Sequence, residues 1–499
     1  MSALDNLRAH DRVTSALAQV AGRLGWDQET VMPRGAAIQR GDEMAAMEAV
    51  LHARRCDPRL GEWLNEAAQT PSDSPTAQVD HALIRQIRRS HDRACRVPGE
   101  LAAELARVTS LAQGIWAQAR ADEDFASFAP TLAHVIDLRR QEAAALCEGR
   151  DLTPYNALLD DYEPGASEAS LTAMFDALRP GLVALRQDIA DAASDTPALP
   201  EHHFDPQVQM ALATEVATAF GYDLTRGRLD CAVHPFSSGS GADVRITTRT
   251  DPADPFNCLY STIHEVGHAC YEQSITPDYA LTSLGQGVSM GVHESQSRIY
   301  ENQLGRSRAF TGWLYGRMRD AFGDFGVGDE DTFYRIVNRV APGHIRTEAD
   351  EVHYNLHVML RFDLERRLIA GTLDVIDLPE AWNSRFADDF GLTVDRPSNG
   401  VLQDVHWSVG LFGYFPTYTL GNVYAGCLHE ALRHAVPDLN DQLSRGDTSA
   451  ATGWLGRNVQ QYGALHEPRA LITQATGQEP EVTPLLSYLR RKFGDIYGI

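Results

Sequence analysis

Along most of this chain apolar residues return every three or four positions, and that spacing confines it to a largely helical fold. Leu101, Leu105, Val108 and Leu111 mark one such apolar face. Segments 14–24, 41–53, 171–194, 206–220 and 353–369 read the same way. Breakers punctuate them at Met32-Pro33-Arg34-Gly35, at Thr70 to Pro75 and at Glu163-Pro164-Gly165. No internal repeat, low-complexity run or long linker appears, so one domain over residues 1–499 is the expected organisation. The exception to helix lies at 231–250. Cys231 to Phe236 leads into a small-residue stretch, Ser237 to Gly241, and then the alternating, β-branched run Asp243 to Thr248. That pattern predicts a short hairpin or sheet edge with its turn at Ser237–Gly241.

Directly behind it stands His264-Glu265-Val266-Gly267-His268, which fits H-E-x-x-H. Asp254-Pro255 supplies a cap and a first-turn proline, and Leu259, Ile263, Val266 and Cys270 form an apolar stripe, so the motif sits on a helix. Positions i and i+4 share a helix face, and two imidazoles there can reach one Zn²⁺ at about 2.0–2.1 Å. Glu265 lies beside the metal, where it can take a proton from a water acidified by the ion. A catalytic zinc needs a third protein ligand and an open position. No third histidine follows closely; Ala269, Cys270 and Tyr271 come next. Glu294, 26 residues after His268, is a candidate on a second helix packing back. Glu272 and Glu301 compete with it, Glu301 being better suited to accept a hydrogen bond from a ligand imidazole.

A rival motif, Gly287-Val288-Ser289-Met290-Gly291, matches the nucleophile elbow of serine hydrolases. That elbow needs a strand before it, and Thr282 to Gln286 is not a strand run, so these glycines read as the connection between two ligand helices. Ser289 as a nucleophile stays a remote alternative. Further on, Ile345 to Asp350 gathers an arginine and two acids, and Gly400 to Trp407 ends in a His-Trp pair that leads into Gly413 to Tyr418. Each reads as a cap, an ion pair or core aromatics when taken alone. A peptidase, though, needs what they offer: an arginine fork for a carboxylate, and a neutral His or Tyr to donate to an oxyanion.

Composition narrows the chemistry. The chain carries 44 basic and 68 acidic residues, a formal charge of −24, which disfavours nucleic acid and anionic lipid as partners. Lys492 is the single lysine, so there is no Walker A Gly-Lys pair, and the one Schiff-base candidate stands at the end of the chain. Seven scattered cysteines without CxxC spacing suit free thiols in a reducing compartment. With no basic and apolar leader at the start and no span of about 20 apolar residues, a cytoplasmic location is expected.

Read together, the motifs carry a resemblance. His234-Pro235-Phe236, Asp243-x-Arg245-x-Thr247, His264-Glu265-x-x-His268, His293-Glu294-Ser295, Ile345-Arg346-x-x-Ala349-Asp350 and Gly400-x-x-Gln403-Asp404-x-His406-Trp407 follow one another in order. So do Gly25-Trp26-Asp27, Met32-Pro33-Arg34 and Asp161 to Gly165. In these the chain resembles the carboxypeptidase Taq family of metallocarboxypeptidases. The resemblance implies a mainly helical, zincin-type fold with a deep groove and a small β-sheet, similar to neurolysin and angiotensin-converting enzyme. It implies Zn²⁺ or Co²⁺, broad removal of C-terminal residues except next to proline, peptide substrates with a free C-terminus, and a homodimer. By motif position it makes Glu294 the third ligand and Arg346 the anchor of the terminal carboxylate, with Arg245 as the fallback. It adds His234 as a substrate contact. His406 with Tyr418 or Tyr414 would stabilise the oxyanion.

Two other readings differ in class or product. A zinc endopeptidase or dipeptidyl carboxypeptidase on the same scaffold would release internal fragments or dipeptides. A non-catalytic binding protein would have no use for Glu265.

Overall fold

The computed structural model describes residues 2–69, 76–192 and 196–499. The breaker at Thr70 to Pro75 and the end of the 171–194 segment therefore lie outside the described residues. The chain forms two compact units, each assembled from three separate stretches: residues 1–95, 196–338 and 427–480 in the first, and 96–195, 339–426 and 481–499 in the second.

The first unit holds the sheet and the H-E-x-x-H helix. Strand β1 is Gly227–Cys231, β2 is Ser237–Ser240 and β3 is Asp243–Thr248, in the order β1-β3-β2. β3 runs parallel to β1, with Gly227 opposite Val244, and antiparallel to β2, with Ser237 opposite Ile246. The expected hairpin is present, but its turn is not where the small residues suggested. Ser237–Ser240 is a strand, and the reversal comes at 241–242. The reason is steric. Gly239 has φ +96°, and a Cβ there would lie 2.0 Å from the Asp243 carbonyl oxygen, so β2 pairs at a range that only a residue without a side chain permits. Val244 and Ile246 of β3 are fully buried, and the Thr248 hydroxyl donates to the Cys258 carbonyl at 2.9 Å. That bond ties the sheet to helix Pro255–Ser274. The helix starts where expected, with Asp254 accepting from Phe256 N at 2.9 Å and Pro255 in the first turn. Leu259, Ile263, Val266 and Cys270 are all buried.

In the second unit helix His353–Ala370 is buried on nearly every side, with Leu356, Val358, Met359 and Leu360 inaccessible. Phe175, Trp382 and Phe386 pack into the same core. Helix Gly99–Ala121 buries Leu105 and Val108, whereas Leu111 faces solvent. The single lysine is structural: Lys492 Nζ reaches Glu351 Oε1 at 2.5 Å and Tyr488 OH at 3.1 Å in a buried pair. Among the described residues no helix is long and apolar enough to cross a membrane.

Candidate metal centre and active-site residues

Helix Pro255–Ser274 carries His264 and His268 one turn apart, and helix Met290–Arg298 carries Glu294. The two helices meet closely because residue 267 is glycine. A Cβ there would lie 2.6 Å from both the Gln296 carbonyl oxygen and Ser297 Cα. Across this contact Glu294 Oε2 lies 3.8 Å from His264 Nε2 and 3.6 Å from His268 Nε2. Among the described residues these three are the group whose ligand atoms converge, all within 4.8 Å of one another. Three ligands about 2 Å from one ion need that spacing, and a set of two imidazoles and one carboxylate is a donor set that suits a catalytic Zn²⁺.

The surroundings hold each ligand in the orientation this requires. His264 Nδ1 is 2.9 Å from Glu301 Oε2, which leaves Nε2 facing Glu294. Glu301 in turn accepts from Arg298 at 3.2 Å and from Arg306 at 3.4 Å. Against the upward push of burial, His264 and these arginines hold its carboxyl well below the usual carboxylate range. Glu301 lies in a π-helical stretch, Ile299–Gly305, that continues the Glu294 helix with wider turns. Arg298 Nε also donates to Glu294 Oε1 at 2.6 Å, so that oxygen is occupied and Oε2 faces the histidines. His268 Nδ1 lies 2.6 Å from His293 Nδ1, and His293 Nε2 lies 2.9 Å from Glu272 Oε1. Glu272, weighed above as a third ligand, is thus turned away from the cluster and bound to His293. Glu265 is 6% exposed, and burial pushes its carboxyl up to about 7.

Ser289 is the N-cap of helix Met290–Arg298, its hydroxyl accepting from Val292 N at 3.1 Å. The residues directly before it form no strand, so the elbow geometry is missing, and the glycines around it lie in the connection between helices Pro255–Ser274 and Met290–Arg298. Arg245 is committed to Asp243 through Nε at 2.8 Å and Nη2 at 3.0 Å, and its guanidinium lies over the Trp26 ring at 4.6 Å. His234 is exposed in the loop between β1 and β2.

The second unit gathers the other sequence-derived residues around Asp404. Arg346 is 6% exposed and donates to Asp404 Oδ1 through Nε at 3.1 Å and Nη2 at 2.9 Å. Arg361 donates through Nε to Asp404 Oδ2 at 2.7 Å. Two guanidinium groups thus share one carboxylate and leave a buried excess of one positive charge. Burial alone would raise the Asp404 carboxyl; the two arginines override it and hold it well below the usual range. The acids of the Ile345–Asp350 segment, Glu348 and Asp350, are not the carboxylate that Arg346 binds. Asp350 instead caps helix His353–Ala370, accepting from Val352 N at 2.9 Å and His353 N at 3.1 Å. Arg361 carried no motif, and sequence reasoning missed it.

His406 follows Asp404 in the same loop. Burial, with Arg346 and Arg361 nearby, pushes its imidazole down to about 4, so the ring is neutral at physiological pH. Among the described residues its Nδ1 is buried without a hydrogen-bond partner, 3.8 Å from Asp404 Oδ1. Tyr414 and Tyr418 pack near it, with ring centroids at 5.7 and 6.4 Å, and the Tyr418 ring lies 5.1 Å from the Arg346 guanidinium carbon.

The profile of the carboxypeptidase Taq (M32) metallopeptidase family matches residues 6–493. The chain is 39% identical to thermostable carboxypeptidase 1 of Thermus thermophilus, over all of this chain and 99% of that one. Carboxypeptidase 1 of Bacillus subtilis is 32% identical over 97% of this chain and 96% of its own. Among solved structures, the M32 carboxypeptidase of Deinococcus radiodurans superposes with a TM-score of 0.95 at 38% identity over the whole of both chains. Family profile, sequence relatives and fold agree over nearly the whole length, and the chain belongs to the carboxypeptidase Taq (M32) family of metallopeptidases: it is a metallocarboxypeptidase, a hydrolase of peptide bonds.

Proposed function

We propose that this enzyme is a zinc-dependent carboxypeptidase of broad specificity that removes one C-terminal residue at a time, with residues 1–499 acting as one catalytic domain. The observation that carries the reading is the convergence of His264 Nε2, His268 Nε2 and Glu294 Oε2 beside a buried glutamate. Those three residues would hold the ion, and Zn²⁺ or Co²⁺ bound there would acidify water and polarise the scissile carbonyl. Glu265 accepts the proton of the attacking water, a role suited to a carboxyl that burial brings near neutrality. Arg346, in excess over the Asp404 carboxylate together with Arg361, supplies the cation for the substrate's terminal carboxylate. Neutral His406 keeps an N–H to donate to the oxyanion, with Tyr418 or Tyr414 beside it. Arg245 remains the fallback anchor, and exposed His234 a peripheral substrate contact. A cytoplasmic homodimer belongs to the same reading: the cysteines are all free thiols, and the dimer rests on the family resemblance.

The test is product analysis by mass spectrometry on one peptide in its free-acid and amide forms. Wild type should shorten the acid residue by residue and leave the amide nearly intact. Glu265→Gln should lose about 10²–10⁴-fold in turnover while retaining metal, since the amide cannot accept the proton. Arg346→Ala should weaken processing of the acid by roughly 2–5 kcal/mol and barely change the amide. Dipeptides or internal fragments as first products would make it a dipeptidyl carboxypeptidase or an endopeptidase, and equal slowing of both peptide forms would make Arg346 structural.

A further inference from the structure

We propose that Glu272 and His293 form a hydrogen-bonded line that positions His268 for the metal, so that both are positioning residues of the catalytic centre. The inference rests on the metal-site reading above. To offer Nε2 to an ion, a neutral His268 must carry its proton on Nδ1. That Nδ1–H points at His293 Nδ1, 2.6 Å away. Two ring nitrogens so close share a single proton, so His293 Nδ1 is the acceptor. A neutral His293 then has its proton on Nε2, which faces Glu272 Oε1 at 2.9 Å. Each tautomer fixes the next. Running the line the other way would put the proton on His268 Nε2 and close it as a ligand.

The far end is built to stay in place. Glu272 Oε1 also accepts from Gly287 N at 2.8 Å. Residue 287 must be small, since a Cβ there would lie 2.5 Å from His293 Cδ2 and 3.2 Å from Glu272 Oε1. The Tyr271 ring packs 5.1 Å from the His293 ring, and its hydroxyl holds Val288 N at 3.2 Å.

The charge of Glu272 points the same way. The residue is 6% exposed, and among the described residues its Oε2 is buried with no hydrogen-bond partner and its ion-pair partner is His293. Glu301, which holds the other ligand histidine, is neutralised by Arg298 and Arg306. A buried carboxylate without a cation is costly. A divalent ion on His268 would give Glu272 the positive charge it otherwise lacks, through the two intervening imidazoles of His268 and His293.

Zn²⁺ affinity, measured by competition with a chromophoric chelator, tests this without reference to turnover. Glu272→Gln keeps the shape and both bonds at Oε1 but removes the charge. It should raise the Zn²⁺ dissociation constant by roughly 10–100-fold, while the thermal midpoint of the metal-free protein stays equal to or above that of wild type. A merely structural glutamate would lower that midpoint instead. His293→Ala should weaken Zn²⁺ within the same range, and the double variant should be no worse than His293→Ala, because Glu272 acts through the ring. Wild-type affinity in Glu272→Gln, or losses that multiply in the double variant, would overturn the line. Glu294→Ala separates this from the parent reading. If it loses Zn²⁺ while Glu272→Gln and His293→Ala do not, only the line fails; if it binds Zn²⁺ like wild type, the metal site itself is misplaced. Should His293→Ala not fold, the nearly isosteric Glu272→Gln still decides.

Discussion

Glu365 is fully buried in the second unit, where Oε1 accepts from Trp407 Nε1 at 3.0 Å and Oε2 from Tyr155 OH at 2.9 Å and Gly413 N at 3.0 Å. Burial pushes its carboxyl up to about 7 in spite of these three donors. The folded chain then holds a proton that the unfolded chain gives up near the ordinary glutamate value of about 4.3. Between those two values the unfolded state binds fewer protons, so the contribution of Glu365 to stability is present at low pH and is lost as pH rises to about 7. Its size is on the order of 4 kcal/mol. Glu365→Gln, uncharged throughout, should show a constant offset from the clash of its amide with a facing N–H, and none of this slope. Denaturant midpoints of both proteins in chelator from pH 4.5 to 7.5 check it, and parallel curves would remove Glu365 as the source. Such a residue is invisible in sequence, being one more glutamate on a helix, whereas His264 and His268 are legible because a four-residue step on a helix means one face. Glu294 could be placed only by its motif, since Glu272 and Glu301 stand as near in the chain and their roles depend on which way two helices turn.

At the scale of elements, the candidate metal centre depends on how closely helix Met290–Arg298 lies against helix Pro255–Ser274. Gly267 sets that distance, with Gln296 and Ser297 backbone atoms where its Cβ would be. Gly267→Ala should improve helix propensity by roughly 1 kcal/mol and still destabilise the protein, because backbone cannot yield as a side-chain tip can. Glu294 lies three residues from Ser297 and must move with it, so Zn²⁺ affinity should fall together with the metal-free thermal midpoint. Unchanged affinity in a folded Gly267→Ala would show that the helix contact does not set the ligand spacing. The same contact marks the limit of sequence reading. Helix Pro255–Ser274 was readable from its cap, proline and stripe, since all three are local. The strand at Ser237–Ser240 was not, because its small residues read as a turn until β3 is seen close against them. The π-helical stretch that carries Glu301 has no local signature. Nor does any linker mark where the two units divide, since each draws on three separate stretches of chain.

For the molecule as a whole, the dominant quantity is its charge. With 68 acidic and 44 basic residues, the protein surrounds itself with a negative potential, yet a carboxypeptidase must admit a carboxylate. In the proposed reading the Arg346–Arg361–Asp404 cluster would answer this locally, with one buried positive charge in excess. The two fields differ in reach and in sensitivity to salt. The diffuse surface field extends about 30 Å at 0.01 M ionic strength and about 3 Å at 1 M, while a buried cluster is screened far less. Two peptides with the same last three residues and a free C-terminus, one lysine-rich and one glutamate-rich upstream, separate them. At low ionic strength kcat/KM should favour the basic peptide by about 10-fold or more, within the usual range of electrostatic steering. At high salt that preference should shrink to nearly nothing. Preference for the free acid over the amide of either peptide should persist across the same salt range, if the buried arginines anchor it. An acidic peptide processed as fast as a basic one at low salt would show that the net charge does not reach the substrate's path. Loss of the acid-over-amide preference at high salt would move the anchor from the Arg346 cluster to an exposed cation.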